Sequence, residues 1–170
     1  MYREVIQVAE MIKVGMADLK ICPHPNAITT LGLGSCVGIA LYDPVTKVAG
    51  LAHIMLPDST QIRNNENKAK FADTGIRQLV DLMSEAGANK SRLVAKIAGG
   101  AQMFAFHSSS NSDMVRVGER NVDATKKTLK AMNIRLLAED TGLNYGRTVE
   151  FYSETGDFVI KSVGKPIKTI

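Results

Sequence analysis

Two apolar runs, Val37 to Tyr42 and Val48 to Met55, flank the turn residues Asp43-Pro44 and constrain the fold more than any other feature of the chain. Runs of this length bounded by turn residues read as strands, and a connection this short sets them side by side in opposite directions. The spacing predicts an antiparallel hairpin that ends at Pro57.

Other strand-like runs supply the hairpin with neighbours. Ala27 to Leu31 is rich in β-branched residues and closed by Gly32, which fits a strand running into a tight turn, and Leu93 to Ala98 halts at Gly99-Gly100. Three more follow: Ile134 to Ala138, Thr148 to Tyr152 and Phe158 to Val163, the last two joined through Glu154-Thr155-Gly156-Asp157. Between Lys68 and Ala86, the residues Ala72, Ile76, Leu79, Val80 and Met83 recur at helical spacing while Asp73, Arg77, Asp81 and Glu85 hold the other side. That pattern predicts an amphipathic helix stopped at Gly87. Val122, Thr125, Leu129 and Met132 mark a second helix with its lysines outward. Val5, Val8, Ala9 and Ile12 also stand at helical spacing, but Met11 to Gly15 reads as a fresh start into a strand. The expected class is α+β: a mixed or antiparallel β-sheet core, packed sheet on sheet or sheet on helix, with two main amphipathic helices outside it. Residues 1–11 are expected to be an appendage and residues 12–170 one domain, since no linker, repeat or low-complexity block divides the 170 residues.

Composition removes several function classes. Apolar residues at 45% and charged residues at 22% exclude a disordered or fibrous chain. The longest candidate for an apolar span, Leu31 to Tyr42, carries three glycines and ends at Asp43-Pro44, far short of a bilayer-crossing helix. The amino terminus has no apolar h-region, so a cytoplasmic location without membrane insertion is expected. The net charge of +4 comes from scattered basic residues, and the largest group, Lys126, Lys127 and Lys130, reads as a solvated helix face. With nine aromatics and no Trp to stack on bases, nucleic acid is not an expected partner.

Chemistry concentrates in Thr30-Leu-Gly-Leu-Gly-Ser-Cys-Val-Gly38. A dinucleotide fingerprint fails there, because its third glycine would fall on Val37 and no helix fits before Asp43-Pro44. The other reading is a nucleophile loop, in which glycine lets the backbone fold tightly enough for N–H groups around Gly34 and Ser35 to receive an oxyanion while Cys36 supplies the attacking sulfur. A free thiol has a pKa of about 8.5 and needs a base to act at neutral pH. His24, His53 and His107 could serve; His53 interrupts the apolar second arm of the hairpin, which returns it towards the Cys36 loop. The plainer alternative is a buried, inert thiol and a histidine satisfied by a backbone carbonyl. Cys22, His24, Cys36 and His53 have the residue types of a zinc site but no short ligand pair, so no metal is expected. After Gly99-Gly100 the chain carries Met103, Phe104 and Phe106 ahead of the polar stretch His107 to Ser112, and these three side chains are expected on the rim of a partner-binding surface.

Thr30-Leu-Gly-Leu-Gly-Ser-Cys36 followed by His53-Ile-Met-Leu-Pro57 resembles the signature of the CheD family of chemoreceptor glutamine deamidases. Asn67-Lys-Ala-Lys-Phe-Ala-Asp73, Gly99-Gly-Ala-Gln-Met-Phe104, Gly118-Glu-Arg-Asn121 and Gly142-Leu-Asn-Tyr-Gly-Arg147 extend the resemblance over nearly the whole chain. It implies that Cys36 is the nucleophile, His53 the general base and Thr30 the residue that orients the imidazole. It also implies a cofactor-free hydrolysis, chemoreceptors as substrate and the phosphatase CheC as partner. A non-catalytic adaptor docking on receptor or CheC is the rival class. One departure stands out: Gly142-Leu143 occupies a place where the family tends to have two adjacent glycines, which bears on that turn's conformation.

Overall fold

The computed structural model describes residues 9–103 and 116–170. The hairpin lies at its centre: β4 (Val37–Asp43) and β5 (Val48–Ile54) pair antiparallel, with Gly38 opposite His53 and Asp43 opposite Val48. All residues of both strands are buried, which accounts for runs that are apolar throughout instead of alternating. β2 (Asp18–Cys22) joins β5, β6 (Val94–Gly99) joins β4, and β7 (Arg135–Thr141) lies parallel to β6, giving the sheet order β2-β5-β4-β6-β7. The second sheet contains β1 (Met11–Val14), β3 (Ala27–Leu33), β8 (Arg147–Tyr152), β9 (Asp157–Lys161) and β10 (Lys168–Thr169) in that order. Here β1 runs parallel to β3 and the other pairs are antiparallel, so both sheets are mixed.

Three layers result, with one core on either side of the hairpin. Ala40, Tyr42, Ala49 and Leu51 pack against Ile28, Val149, Phe151, Phe158 and Ile160 of the second sheet. The alternate residues Val37, Ile39, Leu41, Ala52 and Ile54 pack against the helices. Helix α1 (Ala72–Glu85) buries Ala72, Gly75, Ile76, Leu79, Val80 and Met83, and helix α2 (Val117–Ala131) buries Val122, Thr125 and Leu129. The single-domain α+β class read from the sequence is thus present, with sheet on sheet and helix on sheet together. Lys126, Lys127 and Lys130 are exposed along α2. Among the described residues, no helix is long and apolar enough to cross a membrane.

Several boundaries differ from the sequence reading for local reasons. Lys68–Lys70 is a separate 3-10 turn whose Ala69 N–H is capped by Asn67, so α1 begins only at Ala72. Gly87, at φ +105, ends α1 as expected, with the Ala88 N–H returning to the Met83 carbonyl. Strands β2 and β10 were not anticipated, being brief and only partly apolar. Met11 already pairs with Ala27, inside the stretch expected to be an appendage; residues 1–8 lie outside the described residues. Most consequential is β3, which does not close at Gly32. Thr30 pairs with Val149 and Leu33 with Arg147, so β3 carries one extra residue, a bulge in which Gly32 takes φ +70. The bulge returns Leu33 to the inter-sheet core and aims the chain that follows at the mouth between the sheets.

Candidate active site

Strand parity decides which side chains meet. On β5, Ala49 and Leu51 face the second sheet, so His53 two residues on faces it too; on β4 the same face carries Gly38, Ala40 and Tyr42. Cys36 stands two residues before Gly38, whose register partner is His53, and it belongs to the inter-sheet core. Thiol and imidazole therefore enter the same inter-sheet space as diagonal neighbours at the end of the hairpin. A Cβ on Gly38 would sit 3.0 Å from Leu33 Cδ1, so glycine directly opposite His53 keeps room where the sheets close together.

The imidazole has a defined tautomer. Thr30 Oγ1 lies 2.8 Å from the Val14 carbonyl oxygen, which can only accept, and 2.7 Å from His53 Nδ1. A hydroxyl has one proton, so Thr30 donates it to Val14 and must accept from His53 Nδ1–H. Nε2 is then the basic nitrogen, and it is buried without a hydrogen-bond partner among the described residues. Burial lowers the imidazole pKa below its usual value and raises that of the Cys36 thiol, while the backbone N–H of Cys36 beside its own sulfur works the other way, favouring thiolate. Burial thus favours the neutral form of each group. Cys36 is 7% exposed and His53 is 1% exposed.

The loop backbone is held from behind. Gly34 O accepts from Ala101 N–H at 2.9 Å, Ser35 O from Asn121 Nδ2 at 2.9 Å and Cys36 O from Gly100 N–H at 2.8 Å. Gly34 N–H turns back to Gly32 O at 3.1 Å, which takes it out of the set of free donors. Among the described residues neither the Ser35 nor the Cys36 N–H meets an acceptor on another residue, so these two are the donors left for an oxyanion.

Other candidates fall elsewhere. Cys22 pairs with Ala49, four residues along β5 from His53, or ~13 Å at the usual rise per residue. Burial pushes its thiol up to about 11. His24 is exposed beyond that same end of β2. Met103 is 44% exposed and lies over the loop, its Cγ 3.2 Å from where a Gly34 Cβ would be. Phe104, Phe106 and His107 lie outside the described residues. Leu143 takes φ +61, so the turn keeps a left-handed conformation without glycine there, and its carbonyl accepts from Gln102 N–H. Sequence reasoning gave Asn121 no role, although Gly118-Glu-Arg-Asn121 was visible as a block; a lone Asn on an amphipathic helix carries no signal of what it binds across the fold.

A thiol and a tautomer-fixed imidazole on one inter-sheet face, with two backbone N–H groups in the thiol's loop that meet no acceptor on another residue among the described residues, are the parts that cysteine-dependent acyl transfer uses. The family model described as CheD chemotactic sensory transduction matches residues 55–162, which begins just after His53. Relatives extend the likeness over the site itself: the probable chemoreceptor glutamine deamidase CheD of Lachnoclostridium phytofermentans is 68% identical over 95% of this chain and 99% of its own. The corresponding protein of Caldanaerobacter subterraneus is 57% identical over 95% and 99%. The chemoreceptor glutamine deamidase CheD of Halalkalibacterium halodurans is 52% identical over the same shares. The chain belongs to the CheD family. Among solved structures, the Bacillus licheniformis hypothetical protein YfiH gives a TM-score of 0.42 at 15% identity over 75% of this chain and 51% of that one, too remote to bear on the site.

Proposed function

We propose that this chain is a protein-glutamine amidohydrolase acting on chemoreceptors, with Cys36 as nucleophile, His53 as base and Thr30 as the residue that orients the imidazole. The observation that carries the reading is the bond chain Val14 O, Thr30 Oγ1, His53 Nδ1, which leaves Nε2 unprotonated on the inter-sheet face that Cys36 shares. The names of the full-length relatives supply the substrate.

In this reading Nε2 takes the thiol proton as Sγ attacks the γ-carboxamide carbon of a glutamine, and the Ser35 and Cys36 N–H groups receive the oxyanion. Collapse of the tetrahedral intermediate breaks the C–N bond, and the imidazolium gives its proton to the departing amine as ammonia. Water, deprotonated by Nε2, then attacks the thioester; glutamate leaves and the thiol is restored. CheC is proposed as a partner at the same mouth, where Met103 lies half exposed over the loop and Phe104 and Phe106 follow in sequence.

Mass spectrometry of a receptor cytoplasmic fragment after incubation tests the activity. Wild type is expected to convert selected glutamines to glutamate and Cys36→Ala to convert none, while Cys22→Ala stays active. Thr30→Ser is expected to stay within a few-fold of wild type and Thr30→Val to lose about 10–100-fold, the scale of an orienting partner. Conversion by Cys36→Ala at the wild-type rate would overturn the nucleophile, and equal rates for the two Thr30 variants would remove Thr30 from the site.

A further inference from the structure

Asn121 is fully buried on α2, and its amide donates to two carbonyls, Ser35 O and Met55 O, each at 2.9 Å. Those carbonyls belong to the residue before the thiol and the second residue after the imidazole. Two acceptors on one side of the amide fix which end is nitrogen, so both donor positions are committed and Oδ1 is left buried without a partner among the described residues. A buried side chain that leaves its own acceptor unpaired is held there at a cost.

The peptide unit explains what is gained. The bond joining Ser35 to Cys36 is planar and trans, so its C=O and N–H point in opposite directions. Holding Ser35 O towards α2 turns the Cys36 N–H away from the helix, to the side of its own sulfur. The bond to Met55 O ties the end of β5 to the same amide.

We infer that Asn121 is the positioning residue of the catalytic loop, setting the Ser35–Cys36 peptide so that the Cys36 N–H serves the oxyanion and registering the His53 strand against it. The inference rests on the proposed amide hydrolysis for its kinetic consequence, but not for its effect on the thiol. Losing the amide frees that peptide to rotate, which removes a donor in the transition state and a hydrogen bond to the thiolate. Ground-state binding of the receptor is untouched.

The test compares wild type with Asn121→Asp, which keeps the shape but has no donor when ionised, and with Asn121→Ala; Leu129→Ala, in the core face of the same helix, serves as the packing control. Folding is checked by circular dichroism and melting, and two readouts are taken on folded protein. The first is kcat and KM for receptor deamidation, where both Asn121 variants are expected to lose about 10²–10³ in kcat, the scale of an oxyanion donor, with KM within about twofold. The second is the pH dependence of Cys36 alkylation by iodoacetamide, whose midpoint is expected to rise by about one unit. Leu129→Ala is expected to melt lower with the midpoint unmoved. A wild type that fails to deamidate would remove the proposed function, while the alkylation arm would still decide the role of Asn121. Folded Asn121 variants with an unmoved midpoint and unchanged kcat would overturn the inference. Loss of folding in both would do so as well, assigning Asn121 to structure alone.

Discussion

His53 Nδ1 donates to a hydroxyl whose only proton is already given to Val14, so one nitrogen of the ring is fixed as donor and the other as acceptor; among the described residues no carboxylate hydrogen-bonds the ring, although Asp18 stands opposite His53 in the β2–β5 register. A carboxylate in that place would stabilise imidazolium and raise the pKa. A threonine orients the ring and leaves burial to dominate, which lowers the pKa. The sign can be followed in two measurements. Activity needs neutral His53, so the acid limb of kcat/KM is expected below the ordinary imidazole value of about 6.5. As pH falls through about 6.5 the unfolded chain gains a proton that the native imidazole refuses, so stability declines from there down to the native pKa, and His53→Gln is expected to flatten that part of a melting-temperature profile. An acid limb centred above 6.5 would instead indicate an imidazolium held by charge.

At the scale of elements, the loop depends on how closely α2 approaches the turn after β6. Gly118, in the first turn of α2, has backbone where its Cβ would be: Ala101 O at 2.5 Å and Gly100 O at 2.6 Å. Gly100 and Ala101 are in turn the donors to Cys36 O and Gly34 O. Turn, helix and loop therefore form one unit, and Asn121 sits one turn along the same helix. Gly118→Ala is expected to push α2 outward, costing about 1–3 kcal/mol by overpacking and more activity than that loss of stability explains in protein that remains folded. A folded Gly118→Ala protein with full deamidation would show that the helix can shift without disturbing the loop.

For the whole molecule, what matters is that the far end of the hairpin is as firmly tied as the end bearing the site. Asp43 is buried at the turn and accepts Arg92 Nε and Nη2 at 3.0 and 2.8 Å together with the Val45 and Asn89 N–H groups. Arg92 foremost, with those N–H groups, holds the carboxyl well below the usual carboxylate range. A depressed carboxylate contributes stability that is present above its unfolded pKa of about 3.9 and is lost as pH falls towards the folded value. Asp43→Asn is expected to cost about 1.5–3 kcal/mol at neutral pH, as for hydrogen bonds to a charged group, and to weaken the acid dependence of melting below about pH 4. An unchanged melting temperature at pH 7 would remove the anchor from the account. Arg147, buried between Asp140 and the Gly142 carbonyl, ties β8 to the turn after β7 in a comparable way.

The hairpin, α1, α2 and most strands were legible from the sequence because each depends on local periodicity and local turn chemistry: Asp43-Pro44 closes a hairpin, and Gly87 stops a helix, in almost any setting. The same locality pointed to the thiol in a glycine loop and to the histidine in the returning arm. Thr30 came only with the family resemblance, since a hydroxyl in a β-branched run has no periodicity of its own. Tertiary structure decided the rest. The bulge at Gly32 needed β8 as a ruler to be seen, the faces of β4 and β5 needed a second sheet on one side and helices on the other, and the depth of Cys36 followed from both. Asn121 reaches the loop across 86 residues of sequence. Its partners are backbone carbonyls, which every residue carries, so only the packing of α2 selects Ser35 and Met55 from among them.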